Sequence, residues 1–138
     1  MRQTRVSSIL FATAAYVVVG AATAALAKSV SSPAAMKDWR LAGWLLSLIV
    51  FTTQFIVERT RHPKRVTVAI DVAFSVALGA LVLAAVGPVR THFGEPSALR
   101  LALLSLIAWP VVAGVPAFLV ALLGDALLDA MTRHKATL

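Results

Sequence analysis

The sequence has no cysteine and no asparagine, and only 14% of its 138 residues are charged. Without cysteine, the chain cannot form disulfides, thiolate metal sites or a cysteine nucleophile. Without asparagine, it carries no acceptor for N-glycosylation. The low charge content excludes an ordinary soluble domain, in which about 25% of residues are charged. Because 59% of the residues are hydrophobic, we expect most of the chain to lie in a lipid bilayer.

The sequence also lacks the common signatures of enzymes. It contains no phosphate-binding loop, no Gly-x-Ser-x-Gly nucleophile motif, no His-Glu-x-x-His zinc motif and no dinucleotide-binding glycine pattern. We therefore expect a protein that is not an enzyme and that holds no cofactor.

Four stretches of the sequence contain no charged residue: 6–27, 41–57, 72–89 and 101–124. About 20 apolar residues in a helix cross the hydrocarbon core of a bilayer. A membrane-spanning segment of this kind is expected to be helical, because lipid offers no partner for unpaired backbone groups. The sequence therefore predicts an all-α polytopic membrane protein, with one transmembrane domain over residues 1–138 and a four-helix bundle with helices at about 6–27, 41–58, 66–88 and 101–124.

The first stretch also has features of a secretory signal peptide. Basic residues precede it, and the segment Ala25-Leu26-Ala27 matches an A-x-A cleavage site. Its charge-free run is longer than the roughly 7–15 apolar residues of a signal peptide. We therefore expect residues 6–27 to be retained as the first transmembrane helix.

The 13 lysine and arginine residues fall almost entirely between the spans and near the chain ends. Eight lie on the side of the termini: Arg2, Arg5, Arg59, Arg61, Lys64, Arg65, Arg133 and Lys135. Five lie on the opposite side: Lys28, Lys37, Arg40, Arg90 and Arg100. The positive-inside rule predicts both termini in the cytoplasm, and we expect a bacterial inner membrane. The net charge of +7 is thus interpreted as a signal of orientation and not of nucleic-acid binding.

Small and polar residues follow one face of three predicted helices, as expected for packing surfaces in lipid. These faces comprise Thr13, Tyr16, Gly20 and Thr23 in the first helix, Ser47, Gln54 and Glu58 in the second, and Ala69, Ala73, Ala77, Ala80 and Ala84 in the third. We expect these faces to lie inside the bundle. The alanine ridge of the third helix also offers a surface for another chain.

The predicted fourth helix contains Pro110 and Pro116 on either side of Gly114. A proline inside a helix removes one backbone hydrogen bond and clashes with the preceding turn. The segment is therefore a candidate kink, where freed carbonyl groups are available to a cation or a substrate. The simpler interpretation is a static bend.

Ionisable residues inside the spans are the strongest indication of function, because charge in a membrane is costly. The candidates for ion pairing or coupling, which gather near the cytoplasmic ends of the helices, are Gln54, Glu58, Arg61, Asp71, Asp125 and Asp129. The structural interpretation is mutual neutralisation. In it, Asp71 pairs with Arg61 or Lys64, and Glu58 and Asp125 pair with the remaining arginines.

Three functions are compatible with the sequence. The first is a non-enzymatic role in the lipid bilayer, as a subunit that binds a larger membrane protein or as a homo-oligomer. The second is a small proton- or ion-coupled transporter, or a lipid carrier, that uses Asp71 and Glu58. The third is an interfacial lipid-modifying enzyme in which His62 and the nearby carboxylates act as acid, base or metal ligands. The sequence alone favours the first.

Overall fold

The computed structural model describes residues 2–62, 64–89 and 96–136. They form four helices in chain order: α1 (Arg2–Ser29), α2 (Pro33–Arg61), α3 (Arg65–Val89) and α4 (Pro96–Ala136). Each helix contains a segment long and apolar enough to cross a membrane. The described ranges contain no strand. The predicted all-α bundle of four membrane-spanning helices is confirmed.

The helices extend beyond the charge-free stretches because the flanking charged residues remain helical. The predicted second span covers 41–58, whereas α2 covers Pro33–Arg61. Proline suits the first turn of a helix because its missing N–H has no partner there in any case. At the other end, the backbone N–H of His62 donates to the Glu58 carbonyl at 2.9 Å, and His62 itself is extended. The helix ends here because a following proline disfavours helical geometry.

α3 lies at the centre of the packing, against each of the other three helices, and α1 also packs against α2. A core of buried apolar side chains from α2, α3 and α4 comprises Phe55, Val68, Ala69, Val72 and Ala121. The alanine ridge of α3 takes part in this internal packing: Ala69 and Ala84 are buried, and Ala77 faces Gly114 of α4. The ridge thus lies partly inside the bundle, as expected, with Ala73, Ala77 and Ala80 half-buried, and its use as a surface for another chain stays a prediction.

The outward surface is strongly apolar. Phe11 of α1 and Trp44 of α2 are each 78% exposed. The interior contains polar residues that were predicted to lie there: Tyr16, Thr23 and Gln54 are all buried. This distribution is the reverse of that in a soluble protein and suits a bundle surrounded by lipid.

α4 stays helical through both Pro110 and Pro116, so neither proline interrupts it. The predicted kink at these residues stays a prediction. Gly114 between them is buried against α3, and a Cβ atom at this position would lie 3.1 Å from the Cβ of Ala77. Glycine therefore permits the close approach of α3 and α4.

Candidate functional site: an ionic cluster at one end of the bundle

Charged side chains from all four helices meet at one end of the bundle, where α1 and α3 begin and α2 and α4 finish. We call this the cluster end. The ionic cluster comprises Arg5, Glu58, Arg59, His62, Arg65, Asp71, Asp125 and Asp129.

The inner part of the ionic cluster is built around Glu58 of α2 and Asp71 of α3, which are 0% and 1% exposed. Arg5 of α1 binds Asp71: its Nε donates to the two carboxylate oxygens at 2.8 and 3.0 Å, and its Nη2 donates to Oδ1. Ser8, one turn further along α1, donates its hydroxyl to Glu58. α1 therefore holds both buried carboxylates.

The partner of Asp71 differs from the predicted one. The sequence predicts Arg61 or Lys64, whereas Asp71 pairs with Arg5. Asp71 is buried in the second turn of α3, on a side that α1 packs against, while Arg61 and Lys64 are exposed at helix ends. Neither of these two forms an ion pair in the part of the chain that the structure describes.

The outer part of the ionic cluster joins α4 to α2 and α3. Arg59 contacts Asp125 at 2.9 Å through Nη1 and Asp129 at 2.7 Å through Nη2. The Nε of Arg65 contacts Asp125 at 3.2 Å, and its Nη2 binds Asp129. Two aspartates one turn apart are thus bridged by two arginines. The sequence also predicts an arginine as the ion-pair partner of Glu58. Among the described residues, Glu58 forms no ion pair with an arginine.

Gln54 extends the polar network from the ionic cluster further along α2. Its amide nitrogen donates to the Ser75 hydroxyl at 2.7 Å and lies 3.5 Å from the Asp71 carbonyl. Ser75 donates to the same carbonyl at 2.9 Å. Within the described ranges, Gln54 Oε1 and Glu58 Oε2 are buried and accept no hydrogen bond. Two buried acceptors on one face of α2 therefore have unused capacity.

The charges of the eight described side chains of the ionic cluster do not balance. They comprise four carboxylates and three arginines, so among the described side chains one positive charge is lacking when His62 is neutral. His62 Nε2 lies 3.6 Å from Glu58 Oε2, the oxygen that accepts no hydrogen bond. An uncompensated buried charge costs several kcal/mol. A proton on Glu58 or His62, or a bound cation, would complete the cluster.

One possible cation site is formed by Glu58, His62 and Asp71, whose ligand atoms lie within 4.8 Å of one another. Carboxylate and imidazole are suitable metal ligands. Both oxygens of Asp71, however, already accept hydrogen bonds from Arg5, which brings a positive charge beside this position. A metal ion would compete with Arg5, whereas a proton needs only Glu58 and His62. The geometry favours the proton.

Two cavities lie along the seam between α1 and α2. The first, of about 800 Å³, is in the half nearer the cluster end and is lined by Ser8, Gln54 and Arg61 among others. The second, of about 770 Å³, is in the other half and is lined by all four helices. Ala15 lines the first cavity and Tyr16 lines the second. The first cavity therefore ends, and the second begins, at a similar height near the middle of α1.

Sequence reasoning missed Arg5 and Ser8 as members of the site, because it treated the start of α1 as a flank that only sets orientation. A signal for them is present. The buried polar face of α1 includes Tyr16, and two helical turns back along this face lies Ser8, with Arg5 one turn before it. Extending the polar face to the start of the chain would have found both.

Comparisons with protein families, with curated proteins and with solved structures give no match for this chain. The function is therefore argued from the geometry of the site.

Proposed function

We propose that this protein is a small proton-linked membrane carrier in which Glu58 and His62 exchange the proton that completes the ionic cluster. One observation carries the proposal. Glu58 is a fully buried carboxylate on a helix long and apolar enough to span a membrane. It accepts a hydrogen bond from Ser8 and lies beside His62. Among the described residues it forms no ion pair with an arginine or lysine, and Arg5, which binds Asp71, acts on it only at longer range. Ionisable groups buried within membrane helices are typical of proton relays and transport pathways.

Protonation of this pair changes the forces between three helices. Glu58 on α2 accepts a hydrogen bond from α1 and lies near Asp71 on α3. When the proton leaves, the carboxylates of Glu58 and Asp71 repel each other at short range. Arg5 can then pair with either of them. The ionic cluster then has two arrangements, and the proton decides which is more stable. Coupling of proton binding to transport requires an element with two such arrangements.

The two cavities support the same proposal. A carrier must receive its substrate from each side of the membrane, and the cavities lie in opposite halves of the seam between α1 and α2. Ser8 and Gln54, which line the first cavity, also bond to Glu58 and to the Asp71–Ser75 segment. A rearrangement of the ionic cluster would therefore alter a cavity wall.

We further propose that the protein lies in a bacterial inner membrane with both termini in the cytoplasm, as the excess of basic residues on that side predicts. Activity of a periplasmic reporter enzyme fused to either terminus would contradict this orientation. The subunit or homo-oligomer function and the lipid-modifying enzyme remain predictions from the sequence.

The proposal is tested by recording transient currents from proteoliposomes on a solid-supported membrane after a rapid change of pH. Proton binding to a buried site moves charge within the membrane. We expect the wild-type protein to give such a current and Glu58→Gln to lose most of it, because the ionic cluster of this variant is neutral without a proton.

The matched control is Asp38→Asn, which neutralises an exposed carboxylate near the start of α2, far along the helix from the ionic cluster. It should keep the wild-type current. Circular dichroism and a thermal melt establish that each variant is folded. An unchanged current in folded Glu58→Gln, or no current in the wild-type protein, would refute the proposal.

A further inference from the structure

We infer that the second cavity binds an amphiphile with one apolar chain and an anionic headgroup. This names the substrate class of the carrier and, as a substrate, rests on the proposed function. The binding site itself rests on the cavity and its charges.

The second cavity has the size and lining of a site for an apolar chain. Its volume of about 770 Å³ falls in the usual range for small-molecule sites, roughly 300–1,000 Å³. From Tyr16 to Lys28, both of which line it, α1 rises about 18 Å. Part of the wall is made of small alanine side chains, among them Ala24, Ala80 and Ala113, whereas Gly20 and Gly43 are packed closely against Leu83 and Thr23.

Among the described residues, the charges that line the second cavity are both positive. They belong to Lys28 of α1 and Arg40 of α2. Both lie near the membrane end that is opposite the cluster end, and both are exposed. Within the described ranges neither forms an ion pair. Two cations that have no ion-pair partner among the described residues, at the outer end of an apolar cavity, complement an anionic headgroup whose chain points inward.

The deep end of the second cavity contains Tyr16, which is buried and whose hydroxyl has no hydrogen-bond partner among the described residues. Trp44 of α2 and Trp109 of α4 line the side of the cavity and are both largely exposed. α2 and α4 are tied together by Arg59 and Asp125 at the cluster end. The cavity, which lies among all four helices in the other half, is thus open to a chain that enters from the lipid between α2 and α4.

The test uses dodecanoate with a photoreactive group at the end of its chain, bound to the protein in nanodiscs of zwitterionic lipid. After illumination, mass spectrometry locates the labelled residues. We expect saturable labelling at Tyr16 and Val76, which line the deep end of the cavity. Excess dodecanoate should displace the probe, and dodecyltrimethylammonium, with the same chain and the opposite charge, should not.

Two pairs of variants separate a specific site from general attraction to a basic surface. Lys28→Gln with Arg40→Gln should weaken binding of the probe roughly tenfold, a loss of about 1.4 kcal/mol for two partly exposed charges. Lys37→Gln with Arg100→Gln removes the same charge from exposed residues that do not line the cavity and should leave binding unchanged.

Filling the cavity with a larger side chain should also weaken binding of the probe. Ala80→Leu places a larger side chain in the cavity wall and should reduce labelling, whereas Ala126→Leu at an exposed site outside both cavities should not. Labelling confined to residues outside the cavity, equal displacement by the cationic amphiphile, or equal loss in both double variants would overturn the inference.

The labelling experiment and the current measurement can fail separately. A failure of the labelling experiment would leave the pH-jump currents of the wild-type protein standing. A failure of those currents, with labelling intact, would instead refute the carrier and leave the amphiphile site.

Discussion

At the scale of single residues, the protein keeps its costly charges close to compensating groups. Asp71 is buried, and Arg5 satisfies it with three hydrogen bonds from a helix far away in the sequence. Asp125 is bridged by Arg59 and Arg65. Glu58 departs from this pattern, since a hydroxyl and a histidine take the place of an arginine. A residue that is compensated only in part is where a change of protonation has the largest effect.

The bond between Arg5 and Asp71 should be a principal source of stability. Arg5→Gln leaves the Asp71 carboxylate buried without a cation, and we expect a loss of about 2 kcal/mol in the free energy of unfolding, below the usual value for a buried pair because Arg5 is 42% exposed. Unfolding in mixed micelles by a denaturing detergent measures this loss.

The double variant Arg5→Gln with Asp71→Asn distinguishes a specific pair from two unrelated effects. Two neutral amides no longer leave a buried charge, so the double variant should be more stable than the sum of the single variants predicts. Lys37→Gln, at an exposed lysine without an ion pair among the described residues, is the control and should match the wild-type protein. Additive losses would contradict the assigned pair.

At the scale of helices, α3 determines the arrangement because it packs against all the others. Its small residues allow close approach: Gly79 faces the side chain of Tyr16, and Ala77 faces Gly114 of α4. Close contact between small residues is how helices associate in lipid, where no hydrophobic force drives them together. The position of α4, and with it the outer part of the ionic cluster, therefore depends on small residues far from any charge.

Two glycines of α4 allow this dependence to be tested with the same substitution. A Cβ atom at Gly114 would lie 3.1 Å from the Cβ of Ala77, which is fixed to its helix backbone, whereas at Gly124 the nearest atom is 3.6 Å away on the ring of Phe55. Alanine at either position improves helix propensity by about 1 kcal/mol, but Gly114→Ala must also push α3 and α4 apart.

We expect Gly114→Ala to be less stable than Gly124→Ala by about 1–3 kcal/mol, the usual cost of overpacking. Thermal unfolding in mild detergent, followed by circular dichroism, gives the comparison. Equal melting temperatures of the two variants would contradict the proposed close packing of α3 against α4.

At the scale of the whole molecule, the positions of the helices in the sequence could be predicted, whereas the side chains that pair between helices could not. The length of the charge-free runs dictates four spans, because a shorter or more polar helix cannot cross the hydrocarbon core. The grouping of Glu58, Asp71, Asp125 and Asp129 near one end follows from counting helices. The choice of Arg5 over Arg61 as the partner of Asp71 depends on which face of α3 meets α1, and that rotation is not encoded in span lengths.

The whole molecule also sets the charge balance on which the proposed function rests. The ionic cluster has three arginines for four carboxylates, and Glu58→Gln would make it three for three. Removing this one carboxylate should therefore change the number of protons that the folded protein binds. His92 and His134 are present in every protein compared, whereas His62 lies beside Glu58 and has to be replaced in all of them.

The most direct test counts the protons taken up by the purified protein when the pH falls from about 8 to about 5. Because His62 beside Glu58 also binds protons in this range, the comparison is made in proteins that carry His62→Gln. We predict that His62→Gln takes up about one proton more per chain than the double variant Glu58→Gln with His62→Gln, and that adding Asp38→Asn to His62→Gln leaves its uptake unchanged. Equal proton uptake by His62→Gln and the folded double variant would contradict the account, because Glu58 would then have no proton to exchange.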